Sequence, residues 1–315
     1  MEFDNEIQNL LAKLKEKYDA SGQDWKAYLE GLLHQNYLSY WDYIHTDTLL
    51  SLQKPRTAIP DEIIFIMYHQ ITELYFKLTL HEMEQISAKK DSIDPEFFAA
   101  RLKRMTDYFK NLINSFEIMV DGMEPNQFLQ FRMSLLPASG FQSAQYRSIE
   151  ICATDFIRMV DKEYRDNLVN ASIDEQYKYI YWQAGATELA TGKKTLTLTQ
   201  FEEKYQDSLL RLAKDYKLKN LWSVYKSMSN ADQKNEGLIK QLKDFDACVN
   251  VNWPLMHYKS AVRYLQKSPE DIAATGGTNW QKYLPPRIQK RIFYPELWSE
   301  NEMQEWGKSL MELGK

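Results

Sequence analysis

Apolar side chains recur at spacings of three and four residues along most of this chain, and strict alternation is almost absent. That period is the signature of amphipathic helices. It predicts helical segments over roughly 2–19, 24–35, 37–51, 61–88, 95–120, 141–165, 198–214, 217–229 and 232–267. Prolines fall at the joints: Pro55 and Pro60, Pro95, Pro125, Pro137, then Pro285, Pro286 and Pro295. None lies between Pro137 and Pro254, which leaves that stretch free to be helical. Thr199 followed by Glu202 reads as a capping box opening one helix, and "KTLTLT" (194–199) is the one strand-like alternation. With no repeat, low-complexity run or linker, the pattern predicts an all-α fold in a single domain spanning 1–315.

The most apolar of these helices carries an odd residue. In "IIFIMYHQITELYFKLTLHEM" (63–83), His69 shares its face with Phe65, Ile66, Thr72 and Phe76. An imidazole in such surroundings needs a partner or is costly to bury. His257, in "NWPLMHYKSAVRYL", is the second of this kind, with Trp253 before it and Ser260 and Ala261 after it. Small residues at that spacing would let a flat macrocycle approach the helix, and one neutral imidazole from a helix suffices to hold haem iron. A core histidine satisfied by a carbonyl or a tyrosine fits the same pattern.

Composition narrows the field. The chain has 315 residues, 44% apolar and 26% charged, with 20 Tyr and 8 Trp among an aromatic content of 13%; so many flat side chains suit a flat ligand or aromatic packing. The net charge of -5 favours neither nucleic acid nor an anionic membrane. No apolar run has the length of a membrane span, and the acidic start "MEFDNEIQNL" is unlike a signal peptide, so a cytoplasmic protein is expected. Cys152 and Cys248 stand far apart in apolar surroundings and suggest neither zinc nor a disulfide framework. No histidine follows a glutamate by three residues, as a di-iron bundle requires, and there is no C-x-x-C-H, nucleophile elbow or dinucleotide fingerprint.

Two turns add candidates. "FRMSLLPASGFQSAQYRSIE" (131–150) places Arg132 before a turn through Pro137, Ser139 and Gly140, and "ATGGTNWQKYL" (274–284) carries Thr275 in a glycine turn. A guanidinium with a hydroxyl and free amides can clamp the charged end of an amino acid. Taken singly, Arg132 also fits a surface cation and Thr-Gly-Gly a helix stop.

These stretches, with "YWDYIHTDTLLSLQKP", "DEIIFIMYHQITELYFKLTLHE", "WPLMHYKSAVRYL" and "FYPELW", occur in an order that resembles the tryptophan 2,3-dioxygenase family from about residue 37 to 298. The resemblance implies a helical bundle enclosing a b-type haem pocket. It implies His257 as the iron ligand, His69 as the group hydrogen-bonding the indole N–H, and Phe65 and Leu135 as pocket walls. Arg132 and Thr275 would hold the substrate's carboxylate and ammonium, while Ser139 and Gly140 would lie near the haem edge. Tyr40, Tyr43 and Ile44 would reach a neighbouring subunit's site from an N-terminal arm (about 1–50) in a homotetramer. The reaction implied is cleavage of the indole C2–C3 bond of L-tryptophan by O2 to N-formyl-L-kynurenine, which opens the kynurenine pathway of tryptophan catabolism.

The chain departs from the family pattern in places. The distal helix opens Pro60-Asp61-Glu62, Phe128 stands where some members have a tyrosine, Pro254 follows Trp253, and Asn279 and Trp280 follow the glycines. These bear on substrate identity, so an oxygenase or hydroxylase of another indole or aromatic amino acid, or a haem carrier without turnover, is the competing expectation.

Overall fold

The computed structural model describes residues 4–187, 192–265 and 285–308. Its contacts divide the chain into two units, Met1–Gln53 and Lys54–Lys315.

The first unit holds helices Asn5–Ala20 (α1), Trp25–Leu32 (α2), Tyr40–Ile44 (α3) and Thr46–Leu50 (α4). Asp4, Asp24 and Ser39 cap the first three by accepting a backbone N–H. The single helix expected over 37–51 is broken at His45, whose φ of 53° is left-handed. None of these four helices buries a residue.

In the second unit the longest helix is Glu62–Ala88 (α5). Asp61 does not cap it with its side chain, which instead accepts from Glu124 N at 2.6 Å. The fully buried Glu62 reaches back to accept the backbone N–H groups of Arg56 and Thr57 at 2.8 and 2.7 Å. Helix Pro95–Ser115 (α6) follows, started by Asp94 and by proline at its first position. Its apolar stripe Phe98, Leu102, Met105, Phe109 and Leu112 is buried against α5 and against helix Glu236–Ala247. Glu82 of α5, itself buried, pairs with Arg101 and Arg104 of α6 at 3.2 and 2.9 Å and accepts from Tyr108.

Helices Pro125–Phe131 (α7), Ala144–Ala153 (α8), Leu196–Asp215 (α9), Leu221–Ser227 (α10), Glu236–Ala247 (α11) and Trp253–Leu265 (α12) complete the main elements. Two expected boundaries are corrected. The helix expected over 141–165 stops at Ala153, because Thr154 turns its hydroxyl to Phe293 O at 2.6 Å. The "KTLTLT" alternation is no strand arm: Thr195, not Thr199, caps α9, and its first turn is buried at Thr197 and Leu198. Among the described residues β-structure amounts to isolated bridges, Val160 with Ile180 and Thr187 with Lys194.

Between α11 and α12 the chain widens into a π turn, Cys248–Asn252. Pro254 has no N–H to give the carbonyl one turn earlier, so the regular α ladder cannot run through this point. Asp246, at the end of α11, accepts from the N–H groups of Phe293 and Tyr294, from Trp298 Nε1 and from Asn250 Nδ2. That carboxylate fastens the "FYPELW" segment to the end of α11.

Candidate functional site

The site grows from α5. His69 Nδ1 lies 2.7 Å from the carbonyl oxygen of Phe65 one turn earlier, and the two rings sit 4.1 Å apart. A carbonyl only accepts, so Nδ1 carries the proton and Nε2 keeps its lone pair. Burial holds the pKa of His69 below its ordinary value, against the opposing pull of the Phe65 carbonyl and Glu73. The result is a neutral imidazole of fixed tautomer.

His257 projects from α12. Its ring packs on Phe116 at 4.7 Å and edge-on to Trp253 at 4.5 Å. Burial, with a smaller contribution from the nearby His69, pushes its pKa down to about 3. Its Nε2 is shielded from solvent and meets no hydrogen-bond partner among the described residues. Tyr68, beside His69 in sequence, packs edge-on to the same Phe116 at 5.6 Å. The fold therefore brings two neutral histidines from helices 188 positions apart in sequence (69 and 257) to one apolar region.

Aromatic side chains wall this region. Phe65 lies 6.3 Å from Phe128 and 5.7 Å from Phe131, and Phe128 lies 4.6 Å from Tyr264 of α12. Phe128 is thus a packing residue joining α5, α7 and α12. Arg132 follows Phe131 directly, opens the one-turn helix Arg132–Leu135, and is only 4% exposed, with burial drawing its pKa down. Leu135 closes that turn and packs on the core.

The next turn carries Ser139 and Gly140. Ser139 Oγ accepts from Phe141 N while Gln142 returns to Ser139 N, closing a capping box. Gln142 Nε2 donates to Thr197 O at 3.0 Å and Thr197 Oγ1 donates to Pro137 O at 2.8 Å, so the start of α9 braces this turn. A Cβ placed on Gly140 would meet nothing within 4 Å, and its φ is not left-handed. No described residue asks for glycine there, whereas a further group approaching closely would.

Tyr40, Tyr43 and Ile44 stand on α3 in the first unit, exposed by 72%, 72% and 39%. Thr275, with Asn279 and Trp280, lies outside the described residues. Periodicity did not single out Phe116, which both histidine-bearing helices touch. It precedes the short helix Glu117–Val120 and offers no local signal beyond being aromatic.

The donor set suits a haem. A neutral imidazole nitrogen without a partner, on a helix, in an apolar aromatic region is what a single axial ligand requires. His69, by contrast, has one nitrogen engaged and one available.

Comparison with known proteins identifies the family. The profile of the family described as Tryptophan 2,3-dioxygenase matches residues 31–233. A tryptophan 2,3-dioxygenase of Bacillus thuringiensis subsp. konkukian (strain 97-27) is 28% identical over 291 residues, 87% of this chain and 96% of that protein. One from Ruegeria sp. (strain TM1040) is 28% identical over 83% of this chain and 91% of its own, and one from Anaeromyxobacter sp. (strain K) is 38% identical over 117 residues, 37% of this chain and 44% of its own. The profile match covers well over half of the chain and includes Phe65, His69, Arg132 and Ser139, and the Bacillus relative spans nearly its whole length, so this chain belongs to the tryptophan 2,3-dioxygenase family.

Proposed function

We propose that this enzyme uses a non-covalent b-type haem, held through His257 Nε2, to open the indole ring of L-tryptophan with O2, giving N-formyl-L-kynurenine. The juxtaposition of His69 and His257 carries the reading: two neutral imidazoles, of which the Phe65 carbonyl engages one. When bound, the haem supplies the redox chemistry with dioxygen that no side chain here can provide.

The protein's part is binding and orientation. His69, with Nδ1–H given to Phe65, offers Nε2 to the indole N–H and fixes the plane of the ring. Phe65 and Leu135 supply apolar walls. Arg132, desolvated, pairs with the substrate carboxylate, a stronger contact inside the protein than in water. Thr275 completes the hold on the amino-acid end. Ser139 and Gly140 leave a smooth turn against the macrocycle edge, which the open space at Gly140 supports.

Tyr40, Tyr43 and Ile44 complete the site of a second copy in a homotetramer, with residues 1–50 as an arm on the 1–315 domain. Their exposure on a unit that buries no helical residue supports this, since apolar side chains so placed are expected to meet a partner. No described helix is long and apolar enough to cross a membrane, and we read the enzyme as cytoplasmic.

Mass spectrometry of the product formed from labelled dioxygen tests the reaction. Both labelled atoms are expected in one product molecule; a single labelled atom would make it a hydroxylase.

A further inference from the structure

A buried group of charges that the catalytic reading leaves unused gathers side chains of α8, of the short helix Tyr181–Gly185 and of Arg291. Arg147 donates through NH1 to Glu150 Oε2 at 3.0 Å and to the Tyr181 hydroxyl at 2.7 Å. Arg291 NH1 reaches the same phenol oxygen at 2.5 Å and pairs with Glu150 Oε1, to which Tyr181 donates at 2.5 Å. Arg291 NH2 donates to Tyr146 OH at 3.3 Å, and Tyr146 in turn donates to Val249 O. Arg147, Arg291 and Glu150 are 8%, 5% and 0% exposed.

Among the described residues the charges do not balance. Guanidinium groups keep their protons in proteins, so two positive charges face one carboxylate, and both of its oxygens are engaged. Donors are in excess as well. The Nε–H groups of Arg147 and Arg291 meet no acceptor among the described residues, and neither do Trp182 Nε1 and the Tyr177 hydroxyl. Trp182 lies under the Arg147 guanidinium at 5.0 Å, with Tyr177 edge-on to it at 6.1 Å. The nearby carboxylate of Glu202 is already taken by Lys194 and Gln183. A buried net charge is strongly unfavourable unless it is paired.

We propose that this cluster is an anion site: a monovalent anion of the carboxylate or halide class binds against the Nε edges of Arg147 and Arg291 and supplies the missing charge. An internal counter-charge, Tyr181 as phenolate, is the rival. It is disfavoured because burial pushes the Tyr181 pKa up, its proton is shared with Glu150, and a phenolate would still leave both Nε–H groups unmet. The anion has two possible sources, a free ion or a carboxylate side chain of a bound porphyrin. Only the second rests on the catalytic reading.

The test uses the full chain, haem-free and haem-loaded. Melting temperature is followed in bromide against gluconate at constant ionic strength, and haem binding is compared with that of haem dimethyl ester. If a free anion is the occupant, bromide raises the Tm of both forms saturably and Arg291→Met abolishes the effect. If a porphyrin carboxylate is the occupant, esterification weakens binding by about tenfold or more in the wild type and far less in Arg291→Met. The idea is overturned if bromide moves neither form and esterification acts equally on both proteins. An ionised-tyrosine ultraviolet band at neutral pH that vanishes in Tyr181→Phe would overturn it too. A chain that binds no haem would fail the catalytic reading and leave the bromide result to decide this one.

Discussion

His69 donates its Nδ1 proton to the carbonyl of Phe65 across 2.7 Å, one helical turn within α5. This contact decides what the other nitrogen can do, because a neutral ring with one donor committed has one acceptor to offer. Replacing His69 by Ala is expected to lower kcat/KM for L-tryptophan by about 5- to 30-fold, the value of one hydrogen bond of roughly 1–2 kcal/mol. With 1-methyltryptophan, which has no indole N–H, the same substitution is expected to cost much less. Equal losses on both substrates would refute the positioning role.

His257 has the opposite environment, with a shielded Nε2 that no described residue engages. His257→Ala removes no hydrogen bond between that nitrogen and a described residue. It leaves a gap between Phe116 and Trp253, for which a cost of about 1–3 kcal/mol is expected. The folded protein should lose its Soret band, and added imidazole should restore it. A variant that keeps the wild-type haem spectrum without imidazole would move the ligand elsewhere.

Much of this was legible before any coordinates. The 3.6-residue period located α5 and α6, because each carries a long buried stripe, and it put His69 and His257 on apolar faces. What it missed is set by distant partners. Alternation at 194–199 suggested an extended arm, yet Thr195 caps a helix there whose first turn is pinned by Thr197 to Pro137 O. Nothing local marks the end of α8, since the acceptor that draws Thr154 away is Phe293 O. The histidines could be named singly from sequence. Their approach is a property of the fold around Phe116, which Tyr68 of α5 and His257 of α12 both touch.

Gly140 offers a test of the pocket edge that leaves the fold alone. Its φ is not left-handed and a Cβ there meets nothing within 4 Å, so Gly140→Val should change stability by no more than about 0.5 kcal/mol. If the haem edge approaches this turn, the same change should weaken haem binding by about tenfold or more, read by titration of the haem-free protein. Unaltered haem affinity would place the macrocycle elsewhere.

Glu62 makes the start of α5 sensitive to pH. Fully buried, it accepts the N–H groups of Arg56 and Thr57 and the Thr57 hydroxyl at 2.8, 2.7 and 2.5 Å. Burial alone would raise its pKa, but these donors prevail and hold it below the ordinary 4.5. The folded state therefore binds its proton less readily than the unfolded chain. The stability this carboxylate contributes is present above about pH 4.5 and is lost as pH falls through the depressed folded value. Glu62→Gln turns an amide N–H towards donors and is expected to cost about 1–3 kcal/mol at neutral pH. In urea melts the gap between wild type and variant should narrow steadily below pH 4.5. A gap that stays constant down to pH 3 would mean that charge plays no part in this cap.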